Sequence, residues 1–276
     1  MDVLRSRREV RAALAGAARP IGLVPTMGAL HEGHRSLITR ARSECPTTVV
    51  WIFVNPRQFR AADLATYPRD EAADLVMCRA EAVDIVFAPP VDEVYPAGFD
   101  TSVRVGSLAD RLEGAARPGH LEGVTTVVAT LFGVVGPDRA YFGEKDAQQV
   151  RVVRRMIADL AMPIEIVACP TVREPDGLAC SSRNGLLTAD QRAAATVLYR
   201  ALVAGRDAWR HGERSADALR SAMGAALAAE PLADVDYVSC ADDETLVELT
   251  TIEGPALLSL AVRLGTVRLI DSLTLA

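Results

Sequence analysis

The sequence has 276 residues, of which 50% are hydrophobic and 24% are charged, and this is the composition of an ordinary globular protein. It excludes disordered, collagen-like and coiled-coil proteins, and the formal net charge of −6 disfavours a general nucleic-acid-binding protein, which would be basic. At about 150 residues per domain, the length predicts one or two domains.

The cysteines and the N-terminus indicate a cytoplasmic protein. The number of cysteines, five, is odd, and no two of them form a CxxC pair. We therefore expect reduced thiols rather than disulfides or a structural zinc site. Residues 1–10 are charged, and no run of 18 apolar residues occurs in the chain. We predict no membrane span.

Apolar strand patterns alternate with helical patterns along residues 1–175. The predicted elements are strand 21–26, helix 33–44, strand 47–54, helix 70–82, strand 83–88, helix 121–135, strand 139–142, helix 146–160 and strand 164–168. This alternation is typical of a parallel α/β sheet.

The pattern changes after residue 175. Here we predict a long helix over 188–212 that Thr188 caps, a helix over 215–229, and strands over 235–240, 256–264 and 267–273. The sequence thus predicts a first domain over 1–175 and a smaller α+β domain over 176–276.

The first candidate site is segment 25–34, in which His31 and His34 stand three residues apart directly after the first strand. If the helix starts near Gly33, its N–H groups and its positive end point to the same place as both imidazoles. Gly28 and Gly33 let a ligand approach the backbone closely. The segment predicts a polyphosphate site, and a metal-binding pair or two surface histidines are the alternatives.

Two amides follow the second strand. Asn55 and Gln58 lie where that strand ends, and ligands of parallel sheets bind beyond the carboxyl ends of strands. An amide can donate to a carboxylate and accept from a hydroxyl or an ammonium. The alternative is a simple Asn-Pro turn.

Lys145 is the only lysine among 30 basic residues, and it follows strand 139–142. Its ammonium can neutralise a phosphate as a point charge. We expect Asp146 to cap the next helix and Gln149 to lie one turn further on. The alternative is a capping pattern with a solvated lysine.

Two loops carry weaker signals. Residues 180–185 combine two hydroxyls with a guanidinium and can hold an anion. Residues 112–120 contain Glu113, Arg117 and His120, which predict either a lid or a surface turn. The sequence has no P-loop, no dinucleotide-binding glycine motif and no nucleophile elbow, and we expect no covalent intermediate on Cys180 or Ser181.

These segments resemble the pantoate–β-alanine ligase family of the nucleotidyltransferase superfamily. The H-x-G-H motif from His31 to His34 marks the superfamily. The segments that occur in family order are PTMGALHEGH, IFVNPRQF, YPRD, LEGAARPGH, FGEKDAQQ, DGLACSSRN and LGTVRLID. The resemblance covers essentially the whole chain.

The resemblance implies a Rossmann-like parallel sheet of the nucleotidyltransferase type, a smaller α+β C-terminal lid domain and a homodimer. It implies ATP-dependent condensation of (R)-pantoate with β-alanine through pantoyl adenylate, giving pantothenate, AMP and pyrophosphate for coenzyme A biosynthesis. Mg²⁺ arrives with ATP, and its protein ligands stay unassigned. We expect these small molecules as partners, and no nucleic acid or membrane.

The resemblance also assigns residues. It implies catalytic roles for His34, His31 and Lys145, places pantoate on Gln58 and Gln149, and places Gln58 beside β-alanine. The residues that it assigns to ATP are Met27, Gly28, Ala29, Leu30, His31, Glu32, Gly33, His34, Gly143, Glu144, Lys145, Asp146, Val172, Cys180, Ser181, Ser182 and Arg183.

Six positions depart from the family pattern. They are Trp51, Arg57, Ala73, Leu121, Ala147 and Ser272. Arg57 places a charge beside Gln58, and Ala73 replaces an acid that often precedes the aspartate at position 74. We expect effects on substrate affinity and metal handling rather than on reaction type.

Two other functions are the alternatives. A nucleotidyltransferase with a phosphorylated acceptor would have basic residues where this chain has Gln58 and Gln149. A non-enzymatic nucleotide-binding protein would have lost His34, Lys145 or the Ser-Ser-Arg segment, and all of these are present.

Overall fold

The computed structural model describes the backbone of residues 1–276 and every side chain except those of Ala61 and Ala62. The chain divides into two compact units. The first unit consists of Met1–Gly143 and Gln149–Pro170, and the second of Glu144–Gln148 and Thr171–Ala276. These units are defined by compactness. The domain boundary that the sequence predicts between residues 175 and 176 stays a prediction.

The first unit contains a parallel sheet of six strands in the order β1-β4-β3-β2-β5-β6. The strands are β1 Asp2–Leu4, β2 Ile21–Thr26, β3 Thr47–Ile52, β4 Ile85–Phe87, β5 Arg139–Gly143 and β6 Glu165–Cys169. The chain runs outward from β2 to β4 on one side and continues from β5 to β6 on the other. The order therefore reverses between β2 and β5, and α/β sheets bind ligands at the carboxyl ends of strands at such a point.

Helices cover both faces of this sheet. They are α1 Arg7–Leu14, α2 Glu32–Glu44, α3 Ala61–Thr66, α4 Glu71–Ala80, α5 Val91–Val94, α6 Leu112–Ala116, α7 His120–Val135 and α8 Ala147–Asp159. Apolar residues of α1, α7 and α8 form one hydrophobic core against the sheet, and those of α2 and α4 form a second one. Buried faces on both sides explain why β2 and β3 read as continuous apolar runs.

The second unit packs three helices against a three-stranded antiparallel sheet in the order β7-β8-β9. Its regular elements are α9 Ala189–Ala194, α10 Val197–Arg210, α11 Ala216–Ala228, β7 Asp234–Asp242, β8 Ala256–Leu264 and β9 Val267–Leu275. A Cβ atom on Gly205 of α10 would lie 2.9 Å from Met223 Cγ of α11, so the glycine allows these helices to approach closely. The predicted fold class, a Rossmann-like sheet with a smaller α+β part, is confirmed.

The predicted single helix over 188–212 is wrong. Thr188 caps the segment as expected, with a capping box to Gln191, but the helix is interrupted at Ala195 and Thr196. The Thr196 hydroxyl donates to the Ala193 carbonyl at 2.9 Å, and the backbone bond from Leu198 to Ala195 spans three residues instead of four. Such local bonds compete with the regular α-helical pattern.

Two N-terminal elements, β1 and α1, were not predicted. In α1, Ser6 and Glu9 form a capping box, and β1 pairs with β4. None of the helices that the structure describes is long and apolar enough to cross a membrane.

Candidate active site

The loop after β2 is held by hydrogen bonds to its backbone. The Thr26 hydroxyl donates to the Trp51 carbonyl at 2.7 Å and accepts the N–H of Gly28 at 3.2 Å. Gly28 and Ala29 both have positive φ, +75° and +50°, which turns the chain sharply toward α2. For Ala29 this conformation is unfavourable, so the surroundings must hold it.

Asp74 of α4 supplies that support. Its buried carboxylate accepts the N–H of Ala29 at 3.0 Å and that of Leu30 at 2.7 Å. Burial raises the pKa of Asp74, and the two N–H bonds oppose that rise. The carboxylate therefore fixes the backbone that precedes the two histidines.

His31 and His34 lie at the start of α2, as predicted. His31 is the N-cap, and its Nδ1 accepts the N–H of Gly33 at 3.1 Å. His34 Nδ1 accepts the N–H of His31 at 3.3 Å, and the two ring centroids are 4.1 Å apart. Because each Nδ1 accepts, the proton of each neutral ring sits on Nε2. Glu32 is exposed and pairs with Arg35 at 2.9 Å.

The amide of Asn55 is saturated by contacts within the first unit. Its Oδ1 accepts from the Arg57 N–H at 3.2 Å and from the Tyr95 hydroxyl at 2.8 Å. Its Nδ2 donates to Gln58 Oε1 and to the Gly123 carbonyl, both at 3.0 Å. Burial raises the pKa of Tyr95 to about 12, so its hydroxyl keeps the proton that it donates. Asn55 thus positions its neighbours.

Gln58 is oriented by these contacts. It is 8% exposed, its Oε1 faces Asn55, and its Nε2 donates to the thioether of Met27 at 3.2 Å. The backbone carbonyl of Gln58 accepts from Arg117 Nη2 at 3.1 Å and from His120 Nδ1 at 2.9 Å. Two of the polar residues of loop 112–120 therefore hold in place the single 3₁₀ turn Pro56–Gln58, called here the Gln58 turn.

Arg57 does not place a free charge beside Gln58. Its guanidinium lies over the rings of Tyr95 and Phe99, with distances of 4.6 and 4.7 Å to the ring centroids. Stacking of this kind favours arginine over other residues because its planar cation matches the aromatic face. The structure thus gives Arg57 a packing role.

Gly143 and Gln149 also belong to the first unit. Gly143 is the last residue of β5, which pairs with β2 at the point where the strand order reverses. Gln149 lies in the first turn of α8 and is half-buried.

Lys145 belongs to the second unit, in the 3₁₀ helix Glu144–Asp146. Its side chain is 16% exposed, and its Nζ lies 4.0 Å from Asp146 Oδ1. The hydroxyl of Ser272, on β9, donates to the Glu144 carbonyl at 3.0 Å and lies 3.4 Å from that of Lys145. A side chain 127 residues away in sequence thereby anchors the turn.

Segment 181–183 also lies in the second unit. Ser181 caps the 3₁₀ helix Ser182–Leu186, and its hydroxyl accepts the N–H of Arg183 at 3.3 Å. The N–H of Cys180 donates to the Val172 carbonyl at 2.9 Å. Cys180 is buried, and its thiol lies 3.9 Å from Glu174 Oε1.

The described residues contain no group of three His, Cys, Asp or Glu side chains placed to hold a metal ion. Mg²⁺ usually keeps several waters and is bound by one or two carboxylates together with substrate phosphates. The Asp146 carboxylate, 47% exposed and 4.0 Å from Lys145 Nζ, is one acid of the kind that such an ion takes.

Comparison with known proteins decides the family. The family model for pantoate-β-alanine ligase matches residues 2–274. The chain belongs to the pantoate–β-alanine ligase family. Pantothenate synthetase of Roseiflexus sp. (strain RS-1) is 57% identical over 276 residues, which cover 100% of this chain and 99% of the relative. That of Moorella thermoacetica is 51% identical over 279 residues, covering 100% and 99%.

Solved structures of the family have the same fold. Pantothenate synthetase from Thermus thermophilus matches with a TM-score of 0.96 and 48% identity, covering 99% of each chain. Pantoate-β-alanine ligase from Francisella tularensis, complexed with β-γ ATP and β-alanine, matches with a TM-score of 0.81 and 32% identity, covering 99% of this chain and 97% of the other. The resemblance inferred from the motifs is confirmed, and the assigned residue roles stay predictions.

The residues that support the site were not predicted from the sequence. Asp74, Tyr95 and Ser272 received no supporting role, and Arg117 and His120 were assigned only to a loop. For Asp74 a signal exists, since an acid in the first turn of α4 follows the YPRD segment closely. Nothing local to Tyr95 or Ser272 indicates their partners, which lie 40 and 128 residues away in sequence.

Proposed function

We propose that this chain catalyses the ATP-dependent condensation of (R)-pantoate with β-alanine, giving pantothenate, AMP and pyrophosphate. In the first step, the pantoate carboxylate attacks the α-phosphate of ATP and releases pyrophosphate. In the second, the amine of β-alanine attacks the acyl carbon of pantoyl adenylate and releases AMP. The observation that carries this proposal is the H-x-G-H turn at the start of α2, in a chain that its family model matches over residues 2–274.

In the first unit, His31 and His34 are the proposed catalytic donors. Their Nδ1 atoms accept backbone N–H groups, so their Nε2–H groups are the donors they can offer to phosphate oxygens. The positive end of α2 adds to the attraction for negative charge. Met27, Gly28, Ala29, Leu30, Glu32 and Gly33 are proposed to bind ATP with them, as is Gly143.

Gln58 and Gln149 are proposed to bind pantoate, and Gln58 also borders the β-alanine site. Since Gln58 Oε1 accepts from Asn55, the group that Gln58 offers is its Nε2–H donor. A donor suits the carboxylate or a hydroxyl oxygen of pantoate. The absence of a cation at position 58 or 149 argues against a phosphorylated acceptor.

In the second unit, Lys145 and Arg183 are proposed to offset the repulsion between pantoate and the triphosphate, both of which are anionic. Donors and cations aimed at developing charge lower the barrier to phosphoryl attack. Glu144, Asp146, Val172, Cys180, Ser181 and Ser182 are the other proposed nucleotide contacts. Mg²⁺ bound with ATP would supply further charge neutralisation, with Asp146 as a candidate ligand.

The test is a mass-spectrometric assay for pantothenate and AMP made from ATP, D-pantoate and β-alanine. Pantoate-dependent exchange of labelled pyrophosphate into ATP, without β-alanine, isolates the first step. We expect both products and exchange. Absence of exchange at every pantoate concentration would overturn the proposal.

We further propose a homodimer in the cytoplasm, with residues 176–276 acting as the lid domain. A sedimentation experiment checks the proposed homodimer, because a dimer of 29.5 kDa chains has twice that mass. Sedimentation at the mass of one chain would contradict it.

A further inference from the structure

A largely buried ion pair between Arg173 and Asp271 lies in the second unit. The Asp271 carboxylate, 1% exposed, accepts from Arg173 Nη1 at 2.6 Å and from Nη2 at 3.0 Å. The guanidinium also donates to the Gly177 carbonyl at 3.1 Å and lies 4.1 Å from the ring centroid of Tyr199. Removing such a pair from water is costly, so its benefit is often a fixed geometry rather than added stability.

Asp271 of this pair is connected to the turn that carries Lys145 by hydrogen bonds. The Asp271 carboxylate accepts the backbone N–H of the next residue, Ser272, at 2.8 Å. The Ser272 hydroxyl in turn donates to the Glu144 carbonyl in the turn that carries Lys145. The ion pair therefore orients the residue that anchors the Lys145 turn.

Arg173 of this pair is connected to segment Ser181–Arg183 through backbone pairing. Arg173 forms an antiparallel bridge with Ala179, and Val172 accepts the N–H of Cys180. The chain enters the Ser181 turn directly after this bridge. The guanidinium thus fixes one strand of a hairpin whose other strand leads into the second proposed nucleotide-binding segment.

We infer that Arg173, Asp271 and Ser272 are positioning residues that hold the Lys145 turn and the Ser181–Arg183 turn in a fixed relation within the second unit. The inference rests on the proposed function, which assigns both turns to the nucleotide. A displacement of about 1 Å in a group that contacts the transition state can lower the rate by about a hundredfold. Positioning by a shared ion pair keeps the two turns from shifting separately.

Ser272→Ala is the most direct test, because it removes one hydroxyl and leaves the ion pair. We expect kcat for pyrophosphate exchange to fall about tenfold, because without this hydrogen bond the turn that carries Lys145 can shift by a fraction of an ångström. The KM for pantoate should stay within about twofold, since Gln58 and Gln149 belong to the first unit. Ser272→Thr keeps the hydroxyl and should restore most of kcat.

Arg173→Lys tests the ion pair, and Arg220→Lys is its matched control. Arg220 also joins distant segments of the second unit, since it pairs with Glu248 at 2.7 Å and donates to the Cys240 and Leu249 carbonyls. Both variants keep the positive charge but replace the planar guanidinium, with its several fixed N–H donors, by a single ammonium. Both should therefore lower the melting temperature. Only Arg173→Lys should lower kcat.

The single lysine gives a readout that does not depend on turnover. Reductive methylation with ¹³C-formaldehyde labels Lys145 and the N-terminal amine, so the lysine dimethyl signal reports on this turn alone. We expect Ser272→Ala and Arg173→Lys to shift that signal and Arg220→Lys to leave it unchanged. If the wild type showed no exchange, the proposed function would fail while this measurement still tested the positioning.

The inference is overturned if Ser272→Ala and Arg173→Lys leave both kcat and the lysine signal at wild-type values. It is equally overturned if Arg220→Lys lowers kcat as much as Arg173→Lys does, because the effect would then follow from general destabilisation.

Discussion

Lys145 illustrates how much a single residue type can matter when the chain otherwise uses arginine. An ammonium is a compact charge on a flexible stem, whereas a guanidinium is larger, planar and fixed in its fork of donors. We expect Lys145→Arg to lower the rate of pyrophosphate exchange at least about tenfold, and Lys145→Ala to lower it further. Both should leave the melting temperature nearly unchanged, because the ion pair with Asp146 is long, at 4.0 Å. Near-normal exchange by Lys145→Arg would show that the position needs only a positive charge.

Asp74 gives a prediction for pH. Burial raises the pKa of the folded carboxyl, while the unfolded chain titrates near the ordinary value of about 3.9. Between these two values the folded state binds more protons, so the carboxyl lowers stability as the pH rises through this window. We expect the free energy of unfolding of the wild type, relative to Asp74→Asn, to decrease as the pH rises above about 4, where the carboxyl of the unfolded chain has lost its proton and that of the folded chain still holds it.

Urea denaturation of both proteins at several pH values measures that difference. A relative stability that rises with pH would show that the N–H groups of Ala29 and Leu30 outweigh burial. Exchange activity of Asp74→Asn at neutral pH should nevertheless be lower, because one of the two N–H groups loses its acceptor.

At the scale of elements, α7 lies against the Gln58 turn through a glycine. A Cβ atom on Gly123 would come within 2.6 Å of the Arg57 carbonyl oxygen and 3.0 Å of the Gln58 nitrogen. We expect Gly123→Ala to lower the free energy of unfolding by about 1–3 kcal/mol and to raise the KM for pantoate, because the helix must move away from the turn.

Gly133 on the same helix is the matched control. An added Cβ there meets no atom of the described residues within 4 Å, and the position is exposed. Gly133→Ala should be neutral, or stabilising by up to about 1 kcal/mol, since alanine favours helices. Denaturant titrations and substrate kinetics on both variants check the pair, and equal effects at the two positions would contradict the role of close packing.

Most strands and helices could be predicted from the sequence. The side chains that hold them and the site in place could not. Strand β2 and the start of α2 were predicted because an apolar run and a glycine-histidine turn are local signals. Strand β1, Asp2–Leu4, is too short to show a period, and it is a strand because it pairs with β4. The sequence around Asn55 predicts a ligand-binding amide, because the partners that saturate this amide, Tyr95 and Gly123, lie 40 and 68 residues away and leave no local signal.

At the scale of the whole molecule, each unit has its own hydrophobic core and its own tryptophan. Trp51 is buried in the first unit, where it stacks on Phe53 at 5.2 Å, and Trp209 lies on α10 in the second. A Cβ atom on Gly205 would lie 2.9 Å from Met223, so Gly205→Ala overpacks the contact between α10 and α11.

We expect Gly205→Ala to lower the urea midpoint that Trp209 reports, measured in a Trp51→Phe protein. The midpoint that Trp51 reports, measured in a Trp209→Phe protein, should shift less, since α10 and α11 lie outside the first core. Gly224→Ala on α11, where an added Cβ meets no described atom within 4 Å, is the control. Equal shifts from both tryptophans would show that the two units unfold as one.

All five cysteines are buried, and burial raises the pKa of Cys78 to about 12 and that of Cys240 to about 11. Maleimides react with thiolates, so we expect the natural cysteines to react slowly. A cysteine introduced at an exposed position could then be labelled selectively. Cysteines placed at Val76 in the first unit and Leu232 in the second, which are 63% and 45% exposed, would accept a donor and an acceptor dye. Energy transfer between the dyes, recorded while ATP and pantoate are added, would follow the proposed lid closure in real time in an otherwise native protein.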